Sequence, residues 1–184
     1  MAASSVAFLT GGLSLVVDQQ GDNDFVQTFA DNVGGTAHTM TGSIGVKKGT
    51  LNFTGAVTLA NASAINVEGG ALNLTTTADG AFAGVKNLAI SGGTFTIDGT
   101  GADPFGPAAS TQTEAAFSGE GRLSLGDGVT ATVFRACTNG VYLEAGEYTG
   151  ADSTANALPL PQLSGNGVLK VLKSGPRGMI LFVQ

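Results

Sequence analysis

Three stretches of the chain follow one pattern, and that repetition limits the folds open to it. They run from Ile44 to Phe53, from Ile65 to Leu74 and from Leu88 to Ile97. Each reads apolar-x-apolar, two residues, a glycine and one more residue, then apolar-x-apolar again. From Ile44 to Ile65 is 21 residues, and from Ile65 to Leu88 is 23. Short alternating runs bounded by glycine predict strands joined at tight corners. Side chains alternate along a strand, so Leu51 and Phe53 point inward while Asn52 points outward. Gly55 is a second corner, Val57 and Leu59 the next inward pair, and residues 61–63 a third corner. About 21 residues thus hold three short strands and three corners. A hairpin meander needs about twice that spacing to bring like strands to like positions, whereas a coil returning on itself recurs at this interval.

The same reading extends along the chain. Gly11 to Leu15 already resembles the repeat. Residues 18–24 form a polar turn, and Phe25 to Ala30 is an irregular strand or a helical turn. Leu72 and Leu74, then Phe82, Val85, Leu88, Ile90, Phe95 and Ile97, continue the inward ladder. Two stacks follow: Leu51 over Leu72 over Phe95, and Phe53 over Leu74 over Ile97. Asn52, Asn73 and Thr96 form an outward polar ladder. Residues 98–114 are a loop thrown out at one corner, which stretches the interval from Phe95 to Leu123 to 28 residues. Val129, Ala131 and Val133 form another strand. Residues 150–162 are a second loop, where Pro159 and Pro161 exclude a central strand. Leu163 to Val171 repeats the unit, and residues 179–183 are a dense closing strand. The division is an N-terminal strand or cap region, 1–39, followed by coils over 40–184.

Composition fits many short strands. There are 29 glycines in 184 residues, well above the usual share of about 7%. Charged residues make up 12% and hydrophobic ones 42%. The net charge is −6 and the longest basic cluster is Lys47-Lys48, which argues against nucleic acid or an anionic membrane surface as partner. No run approaches the ~18 apolar residues of a membrane span. The start, Met1 to Leu9, lacks a basic segment and a long apolar run, so it is not a signal peptide as it stands.

The recurring Gly-x-Leu-x-(Leu/Phe/Val) strand and its Gly/Asn corners resemble a right-handed parallel β-helix, a solenoid with coils of about 21–23 residues. More narrowly, Tyr142 to Thr149 followed by Leu163 to Val171 is similar to repeats of large secreted autotransporter-like surface proteins of Gram-negative bacteria. The resemblance covers residues 40–184. It implies an extracellular or cell-surface location and a non-catalytic structural or adhesive role, with loops presented on a stiff rod. It also implies partners at the coil ends or among surface glycans, and no membrane insertion. The ~10-residue amphipathic strands of a membrane barrel are absent from the sequence. The competing fold is an antiparallel β-sandwich. The competing functions are a carbohydrate-active β-helix enzyme, lyase or hydrolase, and a glycan-binding module.

Candidate chemistry is sparse. His38 is the only histidine, and its neighbours supply no nucleophile motif for a triad. Cys137 is the only cysteine; it reads as a small core thiol rather than half of a dyad with His38. Asp18, Asp22 and Asp24 lack the glycine and distal glutamate of a calcium loop and read as a solvated turn. Asp98, Asp103, Glu114 and Glu120 are candidate paired carboxylates, with Arg122 as a lyase base. Residues 119–121 precede a strand, so they are not a phosphate loop. Tyr142 and Tyr148 are candidates for stacking on a sugar, or for packing beneath the adjacent loop. The sequence assigns no catalytic residue, metal or cofactor.

Overall fold

The computed structural model describes residues 11–19, 25–30, 39–55, 59–75, 79–99, 103–106 and 112–175. Within them the protein is all-β. The strands are β1 (Leu15–Asp18), β2 (Val26–Ala30), β3 (Ser43–Lys48), β4 (Thr50–Thr54), β5 (Ala64–Val67) and β6 (Ala71–Thr75). They continue with β7 (Asn87–Ile90), β8 (Thr94–Asp98), β9 (Glu114–Phe117), β10 (Arg122–Leu125), β11 (Thr130–Val133) and β12 (Arg135–Thr138). The last are β13 (Val141–Tyr142), β14 (Gly146–Thr149), β15 (Leu158–Pro159), β16 (Leu163–Ser164) and β17 (Val168–Val171).

From β1 to β10 successive strands alternate between two sheets. One has the order β1-β3-β5-β7-β9-β12-β13, the other β16-β10-β8-β6-β4-β2. A third sheet runs β11-β17-β14-β15. Pairing in the first two is parallel throughout, except between β12 and β13. This is not the pairing of an antiparallel sandwich, and it is compatible with a β-helix. Because the repeat spacing returns like residues to like positions, the register aligns Leu51 with Leu72 and Phe95, and Phe53 with Leu74 and Ile97. All six are buried. On the outer side the Asn73 amide donates to Asn52 Oδ1 (2.8 Å), and the Asn52 amide donates to Thr28 Oγ1 (3.2 Å).

The corner between the two sheets explains the glycine of the repeat. Gly49, Gly70 and Gly93 lie above one another with φ of 99°, 72° and 68°. A Cβ on Gly70 would overlap the Gly49 carbonyl, and one on Gly93 would overlap that of Gly70. The freed approach lets Ala71 N–H donate to Gly49 O (2.9 Å) and Thr94 N–H to Gly70 O (3.0 Å). Positive φ without a Cβ is what glycine supplies at low cost.

The remaining side of each repeat departs from the sequence reading. Leu59, Phe82 and Val85 are buried, yet they lie in turns, not in a third strand. Val57 falls outside the described residues. These turns still stack: Leu59 N–H donates to Ala81 O (2.7 Å) and Phe82 N–H to Pro104 O (2.7 Å). Phe82 meets Phe53, Phe95 and Phe105 at centroid distances of 6.4, 6.1 and 6.4 Å. Part of the loop at 98–114 therefore does not project outward. Residues 104–106 are buried, because Phe105 fills the level above Phe82.

Two further expectations change. Residues 26–30 are a strand with no helical turn, since they pair with β4 residue for residue along their whole length. The repeating pattern also fails to continue unbroken after β12. Asn139 and Gly140 take positive φ, 48° and 81°, and turn the chain back as an antiparallel hairpin. Asn-Gly is the preferred pair for such a turn. β14 is likewise antiparallel to β17. The closing strand expected at 179–183 lies outside the described residues.

Candidate functional site

The carboxylates singled out in the sequence are dispersed to separate tasks. Asp98 ends β8 and is exposed, and Glu120 is exposed in the turn before β10. Glu114 sits beside Arg135 in register across β9 and β12, with 3.5 Å between the charged groups. The Arg135 guanidinium also lies 4.6 Å from the centre of the Phe134 ring. Arg122 is not free to act as a base: its guanidinium donates to Pro161 O (3.1 Å) and holds the 150–162 loop against the sheet.

Asp103 is the exception, and its companion is a residue the sequence reading passed over. Asp103 N–H donates to Asp79 Oδ1 (2.8 Å). Asp103 Oδ1 in turn accepts from Phe105 N–H (3.3 Å) and from Thr132 N–H of β11 (3.1 Å). The Asp79 carboxylate thus caps the backbone of Asp103 on the stacked turns, 24 residues further along the sequence. Burial pushes the Asp103 carboxyl above its ordinary range. Hydrogen bonds from Thr132 and Phe105 oppose that shift, and the nearby Asp79 charge adds to it. The only signal for Asp79 was its place one repeat before Asp103.

Cys137 is half-buried on β12, in register with outward Ala116 on one side and Tyr142 on the other. It is not a core thiol, because alternation puts Ala136 inside instead. Burial raises its pKa, which disfavours the thiolate. Tyr148 is buried and its hydroxyl donates to Glu144 O (2.8 Å), while Tyr142 is partly exposed. One tyrosine is therefore packed beside β15 and the other remains accessible. Asp18 ends β1; His38, Asp22 and Asp24 lie outside the described residues.

Among the described residues no three His, Cys, Asp or Glu side chains gather as a metal site. A notch of about 230 Å³ opens at the Gly49 corner, between Gln19, Phe25, Lys48 and Thr50. Gln19 Oε1 accepts from Phe25 N–H (3.0 Å) at its wall. The chain matches no family model, no curated protein and no solved structure. No helix among the described residues is long and apolar enough to cross a membrane. The 150–162 loop is fastened at several points besides Arg122. Leu160 N–H donates to Thr149 O (2.9 Å), Leu160 is buried, and Thr149 Oγ1 donates to Gly167 O (2.9 Å).

Proposed function

We propose that the chain is a right-handed parallel β-helix serving as a non-catalytic structural or adhesive segment of a secreted bacterial surface protein. The observation that supports this most is the in-register parallel pairing of like residues from β3 to β8. Stacking identical levels builds a stiff body whose outer residues repeat at the inter-strand spacing of about 4.8 Å. Such a body suits the display or spacing of a surface. The dispersal of Asp98, Glu114, Glu120 and Arg122 into separate contacts agrees with a role that needs no converging acid and base. Incubating the chain with neutral and acidic polysaccharides, and reading both retention and new reducing ends, tests the proposal. Retention without cleavage is the adhesive outcome, and neither retention nor cleavage the purely structural one. Release of oligosaccharides would overturn both.

A second reading, a carbohydrate-active β-helix enzyme, draws on the Asp79–Asp103 pair. A partly buried carboxyl with a raised pKa near a second carboxyl is the kind of arrangement from which a general acid and its partner are drawn. Polysaccharide cleavage that is lost in Asp103→Asn, with the fold retained, would establish it.

A further inference from the structure

Asn-x-Ser/Thr, with x not proline, is the sequence that N-glycosyltransferases read. It occurs in this chain as Asn52-Phe53-Thr54, Asn61-Ala62-Ser63 and Asn73-Leu74-Thr75. The fold sorts the three. Asn52 and Asn73 are half-buried on β4 and β6, and both amides are engaged in the outer ladder: Asn73 Nδ2 donates to Asn52 Oδ1, and Asn52 Nδ2 to Thr28 Oγ1. A sugar on either amide would wedge between levels that stand about 4.8 Å apart. Asn61 lies outside the sheets, in the turn before β5. Both Asn61 and Ser63 are exposed, while Ala62 between them is fully buried in the core. Neither exposed side chain hydrogen-bonds to a described residue. The backbone beneath them is anchored: Ala62 N–H donates to Leu59 O (2.9 Å), Ser63 N–H to Gly42 O (3.0 Å) and Lys86 N–H to Ser63 O (2.9 Å).

We propose that Asn61 is an N-glycosylation site, the one of the three acceptor sequences that the folded chain offers to a transferase. Such an enzyme must hold the asparagine amide and the hydroxyl two residues later at the same time. Ala62 is turned into the core, so the residues on either side of it face outward together, and the anchored turn presents them in one fixed arrangement. With neither side chain engaged, no internal hydrogen bond is lost when the enzyme takes hold. The co-substrate is a sugar carried on a pyrophosphate through its anomeric carbon. Asn61 Nδ2 bonds to that carbon, and the bond from the carbon to the phosphate oxygen breaks. The pyrophosphate ester leaves with the electron pair, and one amide proton passes to a base on the transferase. At Asn52 or Asn73 the same step requires the ladder to open first, a local unfolding of paired strands. The inference rests on one turn and two side chains and not on the surface-protein reading, so either can fail without the other.

Peptide mass mapping of the protein isolated from its own cells is the test. The expected result is added sugar on the peptide that carries Asn61, and none on Asn52 or Asn73. A single hexose identifies a nucleoside-diphosphate sugar as the donor, and a preassembled oligosaccharide a polyprenyl-pyrophosphate one. Asn61→Gln and Ser63→Ala should each abolish the addition, and Ser63→Thr should keep it. Both positions are exposed, so these variants keep the fold, which an unchanged circular dichroism spectrum and urea midpoint verify. An unmodified Asn61, sugar on Asn52 or Asn73, or addition that persists in Ser63→Ala would each overturn the proposal.

Discussion

From β3 to β8 each strand meets its equivalent one repeat later, parallel and in register, whereas after β12 two strands, β13 and β14, run against a neighbour. The first region is held by repetition: stacked apolar side chains inside, backbone bonds across glycine corners, an amide ladder outside. The second is held by contacts that occur once. Examples are Arg122 to Pro161 O, Tyr148 to Glu144 O, and Ala145 N–H to Ser174 Oγ (2.8 Å). Continuing a stack requires the same residues again, while ending it requires new ones. The two regions should therefore respond differently to substitution.

The largest effect is expected in the repeating region. Phe53→Ala removes a fully buried ring that contacts Phe29 and Phe82, at a cost of about 3–5 kcal/mol, and Leu72→Ala should cost about 2–5 kcal/mol. Urea denaturation checks both; unchanged midpoints would mean that the interior stacks do not carry the fold. Next comes the corner. Gly93→Ala forces a Cβ against the Gly70 carbonyl at positive φ, and a loss of about 1–3 kcal/mol is expected. A neutral result would show that the corner can widen without disturbing its neighbours.

The terminating region should yield locally. Arg122→Ala deletes one exposed charge-assisted bond and should lower global stability by only about 1 kcal/mol. Limited proteolysis should nonetheless cut within 150–162 faster than in the parent, because that segment opens before the stacks do. Equal cutting rates would place the loop's anchorage elsewhere. The smallest effect concerns Asp103. Its raised folded pKa means that the folded chain holds the proton more tightly than the unfolded chain. The associated stability is present below the ordinary carboxylate range and is lost as pH rises through the raised value. Asp103→Asn keeps an oxygen acceptor for Phe105 and Thr132 but does not titrate. Relative to that variant, the parent should gain stability as pH falls from neutral towards 4. Parallel melting curves across that range would remove the role assigned to burial.

The stacks were legible in the sequence because spacing alone puts Leu51, Leu72 and Phe95 on one line, and no other contact is needed to infer it. The Asp98–Thr113 insertion was legible as a lengthened interval, but its inward part was not. A single aromatic between Pro104 and Gly106 has no periodicity to betray it, and only Phe82 below explains its burial. Residues 25–30 were ambiguous because Val26, Phe29 and Ala30 fit a helical turn as well as a strand, and β4 decides between them. The Asn139-Gly140 turn did carry a signal, that of a two-residue hairpin, which the expectation of coils over 40–184 overrode. For the candidate site, Asp103 was named and Asp79 was not. Their meeting depends on how the turns stack, and alternation of strand residues says nothing about turns.

The intervals between equivalent residues, 21, then 23, then 28, are unequal. A stack of equal levels is an index without markings: a segment displaced by one whole level finds the same apolar partners and little tells it that it is misplaced. Here the unequal connections act as markings. A strand displaced by one level is given a connection too long or too short for its new neighbours, and Phe105 or Asp103 arrives where no Phe82 or Thr132 waits. The irregular residues between the repeats thus identify which level is which, a task that the repeats themselves cannot perform.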